Sequence, residues 1–264
     1  IIDQAQYLNI IVENLNNVYK FAGVTQQSVA NSSLTSWVKY YRQDENSPNS
    51  IVSYYVKGSL VALCLDLLLR SKSQFSLDSV MLHLFKLWQV NPIGVAEDEF
   101  PALIQAATGV DLAEFIQQAT ETTEMLPYVE LLAQFGLDLT TRLAKNHQDS
   151  GKFNLSTASA VPLVVGDLGA KLEKQALGYL VKNVYVDTPA ERAGLAANDL
   201  IVALNQVKLT NLEKQLAFIQ NGESIELTLF RQERLLTLDL ELSSCAVKIF
   251  ELALNDAKLL LNWL

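Results

Sequence analysis

The side chains best suited to chemistry lie at the start of one apolar helix. The stretch Ser53–Gly58, SYYVKG, places two phenols and an amine where that helix is predicted to begin. A phenol is neutral near pH 7 and presents one hydrogen-bond donor. Spacing alone favours packing roles for Tyr54 and Tyr55, with one ring buried and the other reaching solvent. It favours a surface or ion-pair role for Lys57 over a catalytic base, and a solvated loop for Asp44-Glu45.

Histidine and cysteine are too sparse to predict a metal site. The chain has two histidines, His83 and His147, and two cysteines, Cys64 and Cys245. No pair of them has the spacing of zinc ligands. We expect His83 on the flank of a helix, His147 in a solvated linker and Cys64 as a small core residue. The sequence therefore predicts no metal site.

Length and charge narrow the classes of protein. Two domains are expected for 264 residues, and half of the residues are hydrophobic, which is enough for two cores. A net charge of −9 and a pI near 4.8 argue against nucleic acid or a membrane as partner, since both select a basic face. The apolar run Ser59–Leu69 is too short to span a bilayer, so we expect a soluble protein. The sequence does not indicate its cellular compartment.

Residues 1–140 are predicted to be helical. Apolar residues at helical spacing, with capping residues at the ends, indicate helices. These lie at Asp3–Phe21, Ser50–Arg70, Ser76–Val90, Glu97–Thr108, Asp111–Ala119 and Pro127–Phe135. The stretch Ala22–Asn49 lacks such repeats and is predicted to be a long loop, with a short helix or extended piece at Trp37–Tyr41.

The pattern changes after a polar stretch at residues 141–160, which we predict to be a linker. Short apolar runs between turn residues then indicate strands. These lie at Leu163–Leu172, Gly178–Val186, Leu200–Leu204, Ser224–Arg231 and Arg234–Leu240. Helices are predicted at Thr210–Gln220 and Ala246–Leu264. The predicted fold is therefore multi-domain α + β, with an all-α unit at residues 1–140, a β unit at 161–243 and a C-terminal helix at 244–264.

One stretch of the β unit carries a family resemblance. Val181–Asn205 predicts strand, turn, one-turn helix, turn and strand, with Pro189 starting the helix and Gly194 ending it. The TPAERAGL pattern followed by D-x-I resembles the middle of a PDZ domain of the kind attached to bacterial proteases. The resemblance covers about Val161–Leu240 and implies a β-barrel or sandwich that binds peptide or protein termini.

The PDZ resemblance also implies where a peptide would bind. In that family a glycine-containing loop points backbone N–H groups at a peptide's C-terminal carboxylate, and the peptide adds as a further strand. The corresponding donors here are the amides of Leu168, Gly169 and Ala170. The side wall is the helix that carries Leu212 and Leu216.

The alternative is a structural cap or spacer with a blocked groove, because a fold does not by itself imply a function. Asp167 favours this alternative, since it would place a carboxylate beside an incoming carboxylate.

The phenols carry a second resemblance. The Y-x-K-G pattern opening an apolar helix resembles the gluzincin zinc aminopeptidases, and it implies that Tyr55 donates a hydrogen bond to the oxyanion of the tetrahedral intermediate. Tyr54 would then be packing or part of the cleft wall. The surrounding stretch, SSLTSWVKYYRQDENSPNSIVSYYVKGSLVALCLDLLLR, resembles the glycyl aminopeptidase family, whose members join a thermolysin-like domain to a PDZ domain. SLDSVMLHLFKLW, EDEF and ELLAQFGLDL are similar too, so the resemblance covers nearly the whole chain.

The sequence departs from that family in lacking its zinc motif. The family holds zinc with H-E-x-x-H and a Glu on the next helix, and this chain has no H-E-x-x-H. We therefore expect a fragment, inactive by itself, that supplies the helical half of a peptidase domain. The missing N-terminal half would be its partner. Zinc is expected in the parent protein and no cofactor in this fragment.

Two alternatives remain open. The chain could be a non-enzymatic adaptor that binds peptides through its PDZ domain. It could also be a structural cap whose groove is filled by its own C-terminal helix.

Overall fold

The computed structural model describes residues 2–96, 98–156, 166–244 and 247–264. Its N-terminal unit is mainly helical. The helices are α1 (Gln4–Tyr19), α2 (Gly23–Gln26), α3 (Val29–Leu34), α4 (Ser47–Ser50), α5 (Tyr54–Lys72), α6 (Leu77–Val90), α7 (Phe100–Thr108), α8 (Ala113–Glu121) and α9 (Tyr128–Ala133). A 3₁₀ turn covers Tyr40–Arg42. The long helices thus lie where periodicity predicted them.

Helix α5 forms the centre of this unit. The Ser53 hydroxyl accepts a hydrogen bond from the Val56 amide at 3.3 Å and begins the helix. Leucines on several faces are buried against α1 and α9, and Cys64 is fully buried, as predicted. The segment Ser47–Lys72 is long and apolar enough to cross a membrane by length and composition, and 44% of its apolar window is buried. A core helix of a soluble protein passes the same test.

The predicted long loop at Ala22–Asn49 is wrong, because short helices α2, α3 and α4 occupy much of it. Polar side chains hold this segment in place. The Ser28 hydroxyl caps α3 by accepting from the Asn31 amide at 3.1 Å, and the side-chain oxygen of Gln27 accepts from the Val52 amide at 3.2 Å. Helices of four to six residues are too short to show an apolar repeat, which is why periodicity missed them.

A three-stranded sheet joins the end of the chain to the helical unit. Strand β1 (Leu137–Leu143) pairs antiparallel with the C-terminal strand Lys248–Leu254, whose other edge pairs parallel with β2 (Phe153–Asn154). The Asn16 side chain also bonds to the Phe250 backbone, accepting from its N–H at 2.7 Å and donating to its carbonyl at 2.9 Å. Residues from both ends of the chain therefore build one core.

This sheet corrects the predicted helix at Ala246–Leu264. Residues Ile249 to Ala253 are all buried, so the run shows no polar alternation. A short run that is buried on both faces cannot be assigned to strand or helix by periodicity. The C-terminal helix is present but short, α12 at Ala257–Leu260. The predicted linker at residues 141–160 likewise contains the end of β1 and all of β2.

The second unit is a β-fold with its own core. Its strands are β3 (Gly166–Asp167), β4 (Ala170–Lys174), β5 (Tyr179–Val184), β6 (Leu200–Leu204), β7 (Val207–Lys208), β8 (Ser224–Arg231), β9 (Arg234–Glu241) and β10 (Ser243–Ser244). We number the C-terminal strand Lys248–Leu254 as β11. The main sheet runs β4-β5-β6-β8-β9, and β3 pairs with β10. The beginning of the predicted strand Leu163–Leu172 lies outside the described residues, and its remainder is interrupted between Asp167 and Ala170.

The turn motif that predicted this fold has the expected geometry. Helix α10 (Pro189–Arg192) is capped by the Thr188 side chain, and Gly194 follows it with φ of 76°. Asp199, the aspartate of D-x-I, is fully buried and accepts two hydrogen bonds from Arg231, at 2.8 and 2.7 Å. Helix α11 (Leu212–Leu216) crosses between β7 and β8 and completes the unit.

Candidate functional site

Four tyrosines form a cluster at the start of α5. The Tyr41 hydroxyl lies 2.7 Å from the Tyr55 hydroxyl and 3.1 Å from the Tyr54 hydroxyl. The rings of Tyr54 and Tyr55 are tilted by 30° with centroids 4.2 Å apart, and Tyr40 packs edge-on against Tyr54 at 5.4 Å. Tyr55 is 57% exposed. The structure thus presents the predicted catalytic phenol to solvent while other phenols hold its oxygen.

The cluster changes the acidity of its members. The hydrogen bond from Tyr41, followed by that from Tyr54, lowers the pKa of Tyr55 below its ordinary value. The pKa of Tyr54 is raised by its hydrogen bonds to Tyr41 and Tyr55. A phenol with a lowered pKa is a stronger hydrogen-bond donor while it keeps its proton, so Tyr55 is the member best suited to stabilise a developing negative charge.

The tyrosines are held by the segment just before α5. Ser53 donates to the Tyr40 hydroxyl at 3.1 Å, which ties the 3₁₀ turn to the start of the helix. Asp44, predicted to be solvated, accepts from the Asn46 amide at 3.0 Å and from the Ser47 hydroxyl at 2.9 Å, closing a turn. The tyrosine positions therefore depend on how residues 40–53 are fixed.

Apolar side chains extend the exposed surface beside the cluster. The Trp37 ring lies 5.1 Å from that of Tyr41. Leu34, Trp37 and Val38 are 84%, 77% and 70% exposed. A contiguous set of large exposed apolar residues of this kind is typical of a surface that another polypeptide or a ligand covers.

Lys57 corrects the prediction of a surface or ion-pair residue. It is fully buried, and its Nζ has no hydrogen-bond partner within the described part of the chain. Burial lowers its pKa. Burying an amine without a hydrogen-bond partner costs folding free energy. The position of a lysine at a helix start does not predict such burial.

The predicted peptide groove would be bounded by β4 and α11. Strand β4 is at the end of the main sheet, and no strand in the described part of the chain pairs with its outer edge, the kind of edge that strand addition uses. On the helix, Leu216 is buried in the core and Leu212 packs against it. The Tyr179 hydroxyl accepts from the Leu212 amide at 3.2 Å and so ties the start of α11 to the sheet. These contacts place the predicted wall residues on one helix that is tied to β5, the neighbour of β4 in the sheet.

The loop with the predicted donors is tightly packed. Leu168 is 2% exposed, and its carbonyl accepts from the Ala190 amide at 2.8 Å. Gly169 has φ of 80°, and a Cβ at this position would overlap Thr188. The Gly169 amide donates to Asp167 Oδ1 at 3.1 Å. One of the three predicted donors is therefore engaged by a side chain of the loop itself.

His147 corrects the prediction of a solvated linker residue. Its side chain is 8% exposed, and its Nδ1 bonds to Asp167 Oδ2. Its backbone amide donates to the same oxygen at 3.1 Å, and its ring stacks on Tyr185 at 4.5 Å. The polar composition around His147 concealed this contact, because its partners are distant in sequence.

A second contact between the units was not predicted. Asn49 Nδ2 donates to the Val184 carbonyl at 2.8 Å, and its Oδ1 accepts from the Val186 amide at 3.2 Å. Asn183 Nδ2 donates to the Glu45 carbonyl at 2.9 Å. These bonds attach the segment before the tyrosine cluster to the end of β5. The sequence shows these contacts only as polar residues in turns, which is why they were not predicted.

The described residues do not form a metal centre. No group of three or more His, Cys, Asp or Glu side chains among them could hold a metal ion. The donor set therefore does not fit the zinc that the family resemblance implies.

Comparisons with known proteins agree with both parts of this architecture. Residues 1–61 match the M61 glycyl aminopeptidase family, and residues 166–242 match the PDZ domain. No curated protein matches the chain. The crystal structure of an aminopeptidase N family protein from Idiomarina loihiensis is 35% identical with a TM-score of 0.88. The match covers 100% of this chain and 45% of that one.

Smaller matches concern about a third of the chain. The HtrA-type protease AlgW with a decapeptide is 23% identical, with 31% of this chain and 30% of that chain covered and a TM-score of 0.29. A serine endoprotease from Yersinia pestis is 25% identical, with 31% and 29% covered and a TM-score of 0.27. The chain spans less than half of the Idiomarina relative. It combines a stretch similar to the M61 glycyl aminopeptidase family, at residues 1–61, with a match to the PDZ domain, at residues 166–242.

Proposed function

We propose that this chain is the C-terminal part of a zinc-dependent aminopeptidase that hydrolyses the N-terminal residue from peptides. The observation that carries the proposal is the exposed Tyr55 phenol, whose hydroxyl oxygen lies 2.7 Å from that of Tyr41. It lies within the segment that matches the glycyl aminopeptidase family. The PDZ domain would be the peptide-binding module of the same protein.

Tyr55 would act by donating a hydrogen bond to the oxyanion of the tetrahedral intermediate. With Tyr41 donating to the Tyr55 oxygen, the proton of Tyr55 is free to point outwards at a substrate. The lowered pKa strengthens that donor, and the donor is lost when the pH rises through this pKa. One well-placed donor of this kind contributes roughly 10²–10³ in rate.

Zinc would supply Lewis-acid activation of the substrate carbonyl and of water. Because the described residues hold no fitting donor set, its ligands would come from the rest of the longer protein. The exposed surface of Leu34, Trp37 and Val38 beside the tyrosines supports this division, since it would be covered by that further polypeptide.

The proposal is tested with the longer protein that contains this sequence, assayed on amino-acid p-nitroanilides with and without a zinc chelator. We expect turnover that the chelator abolishes and added zinc restores, and no turnover by the 264-residue chain alone, with or without zinc. Turnover by the chain alone, or turnover insensitive to the chelator, would contradict the proposal.

A second candidate is a non-enzymatic adaptor that binds peptides through the groove between β4 and α11. The open edge of β4 favours it, because strand addition needs no catalytic group. Peptide binding by a longer protein that shows no chelator-sensitive turnover would support the adaptor over the peptidase.

A further inference from the structure

The loop that would receive a peptide carboxylate already holds one. Asp167 Oδ1 accepts the Gly169 N–H at 3.1 Å. In PDZ-type recognition, amides of this loop bind the terminal carboxylate of the peptide. A peptide ending here would have to compete with Asp167 for the Gly169 donor.

Asp167 is fixed in this position from outside the loop. Its Oδ2 accepts from the His147 amide at 3.1 Å and bonds to the His147 ring. Both side chains are mostly buried, at 13% and 8% exposure, and the His147 ring stacks on Tyr185. Moving the Asp167 carboxylate aside would break these contacts as well as the bond to Gly169.

The negative charge of Asp167 also disfavours a free C-terminus, as does its bond to the Gly169 amide. A free C-terminus would place a second carboxylate beside that of Asp167, and like charges brought together at an interface oppose binding. An uncharged peptide bond at this point carries no such penalty. The strand edge of β4 and the apolar side chains of α11 do not depend on a terminal carboxylate.

We propose that the groove between β4 and α11 accepts an extended segment from within a polypeptide and disfavours a free C-terminus. The inference rests on the peptide-binding role proposed above for the PDZ domain. It names the class of ligand, which is an internal or C-terminally blocked extended peptide.

The test uses the full chain and two display libraries of random ten-residue peptides. In one library the random segment ends in a free carboxylate, and in the other the same segment is followed by a Gly-Ser tail. We expect the chain to enrich peptides from the tailed library. An enriched sequence, synthesised as C-terminal amide and as free acid, should bind at least roughly tenfold more tightly as the amide.

Substitutions at Asp167 test the cause. Asp167→Asn keeps an acceptor for the Gly169 amide and removes the charge, so the preference for the amide should shrink. Asp167→Ala removes both charge and acceptor, so the free acid should then bind at least as tightly as the amide. Asp239→Ala, which removes a carboxylate from β9 at the opposite end of the sheet, should leave the preference unchanged.

Three results would overturn the inference. The first is enrichment of free C-termini by the unmodified chain. The second is a preference for the amide that persists in both Asp167 variants while each remains folded by circular dichroism. The third is no enrichment from either library, which would also remove the peptide-binding role while leaving the chelator-sensitive peptidase assay to decide the catalytic proposal.

Discussion

At the scale of single residues, Lys57 departs furthest from what its type predicts. It is buried in the first turn of α5, and its Nζ has no hydrogen-bond partner among the described residues. Cys64, on the same helix, is buried as predicted because a free cysteine behaves as a small hydrophobe. Residue type therefore predicted the burial of Cys64 correctly and that of Lys57 wrongly. The surrounding fold imposes the burial of Lys57.

We expect Lys57→Met to stabilise the chain. Methionine has a similar length and no polar atom to desolvate, so the free energy of unfolding should rise by roughly 1–3 kcal/mol. Urea denaturation followed by circular dichroism measures this change. Lys72→Met, at the exposed end of the same helix, is the matched control and should change stability by less than about 0.5 kcal/mol.

The stabilisation should also depend on pH. Because burial lowers the pKa of Lys57 in the folded chain, the unfolded chain binds the extra proton between that pKa and the ordinary value of 10.5. Unfolding of the unmodified chain therefore becomes less favourable as the pH rises through this window, and its deficit relative to Lys57→Met shrinks. A Lys57→Met chain that is less stable than the unmodified chain near pH 7 would show that the amine is satisfied.

At the scale of elements, Asn49 links helix α4 to the end of strand β5. This residue of α4 bonds through both side-chain atoms to backbone groups at the end of β5. It imitates the pairing of a neighbouring strand with a single side chain. The segment that ends in the tyrosine cluster is in this way fixed to the PDZ domain.

We expect Asn49→Ala to loosen this junction. The Val186 amide would lose its acceptor, so its hydrogen exchange should become roughly three- to tenfold faster, as loss of one hydrogen bond implies. Ser50→Ala is the matched control, because it removes a bond within the segment, from the Ser50 hydroxyl to the Asn46 carbonyl, and leaves the Asn49 side chain and its bonds to the backbone at β5. Equal protection of the Val186 amide in the two variants would show that Asn49 does not hold the junction.

The elements also show why some were predictable. Helices α1, α5 and α6 follow an apolar pattern with a capping residue, and both signals are local. Strand β11 has buried residues on both faces, since Phe250 and Leu252 lie in the core of the helical unit and Ile249 packs with Ala144, and that burial erases its local signal. Helices α2 to α4 have four to six residues each, which is too short for an apolar repeat to show in the sequence.

At the scale of the whole molecule, the structural units do not follow one another in the order of the sequence. Its last strand returns to the helical unit, so the PDZ domain is inserted between β2 and β11 of one sheet. The PDZ turn motif and the Y-x-K-G helix were predictable because each is a local pattern. The Asp167–His147 bond and the Asn49 contact were not, since each joins residues that only the folded chain brings together.

The proposed role of Tyr55 in stabilising the oxyanion of a peptidase reaction is tested by the kcat of Tyr55→Phe in the longer protein. We expect a fall in kcat of roughly 10²–10³ with little change in KM, because the lost hydrogen bond forms in the transition state. The neighbouring Tyr54→Phe is the matched control and should retain kcat within a few-fold. A Tyr55→Phe enzyme with undiminished kcat, or an equal loss in both variants, would show that Tyr55 does not have this role.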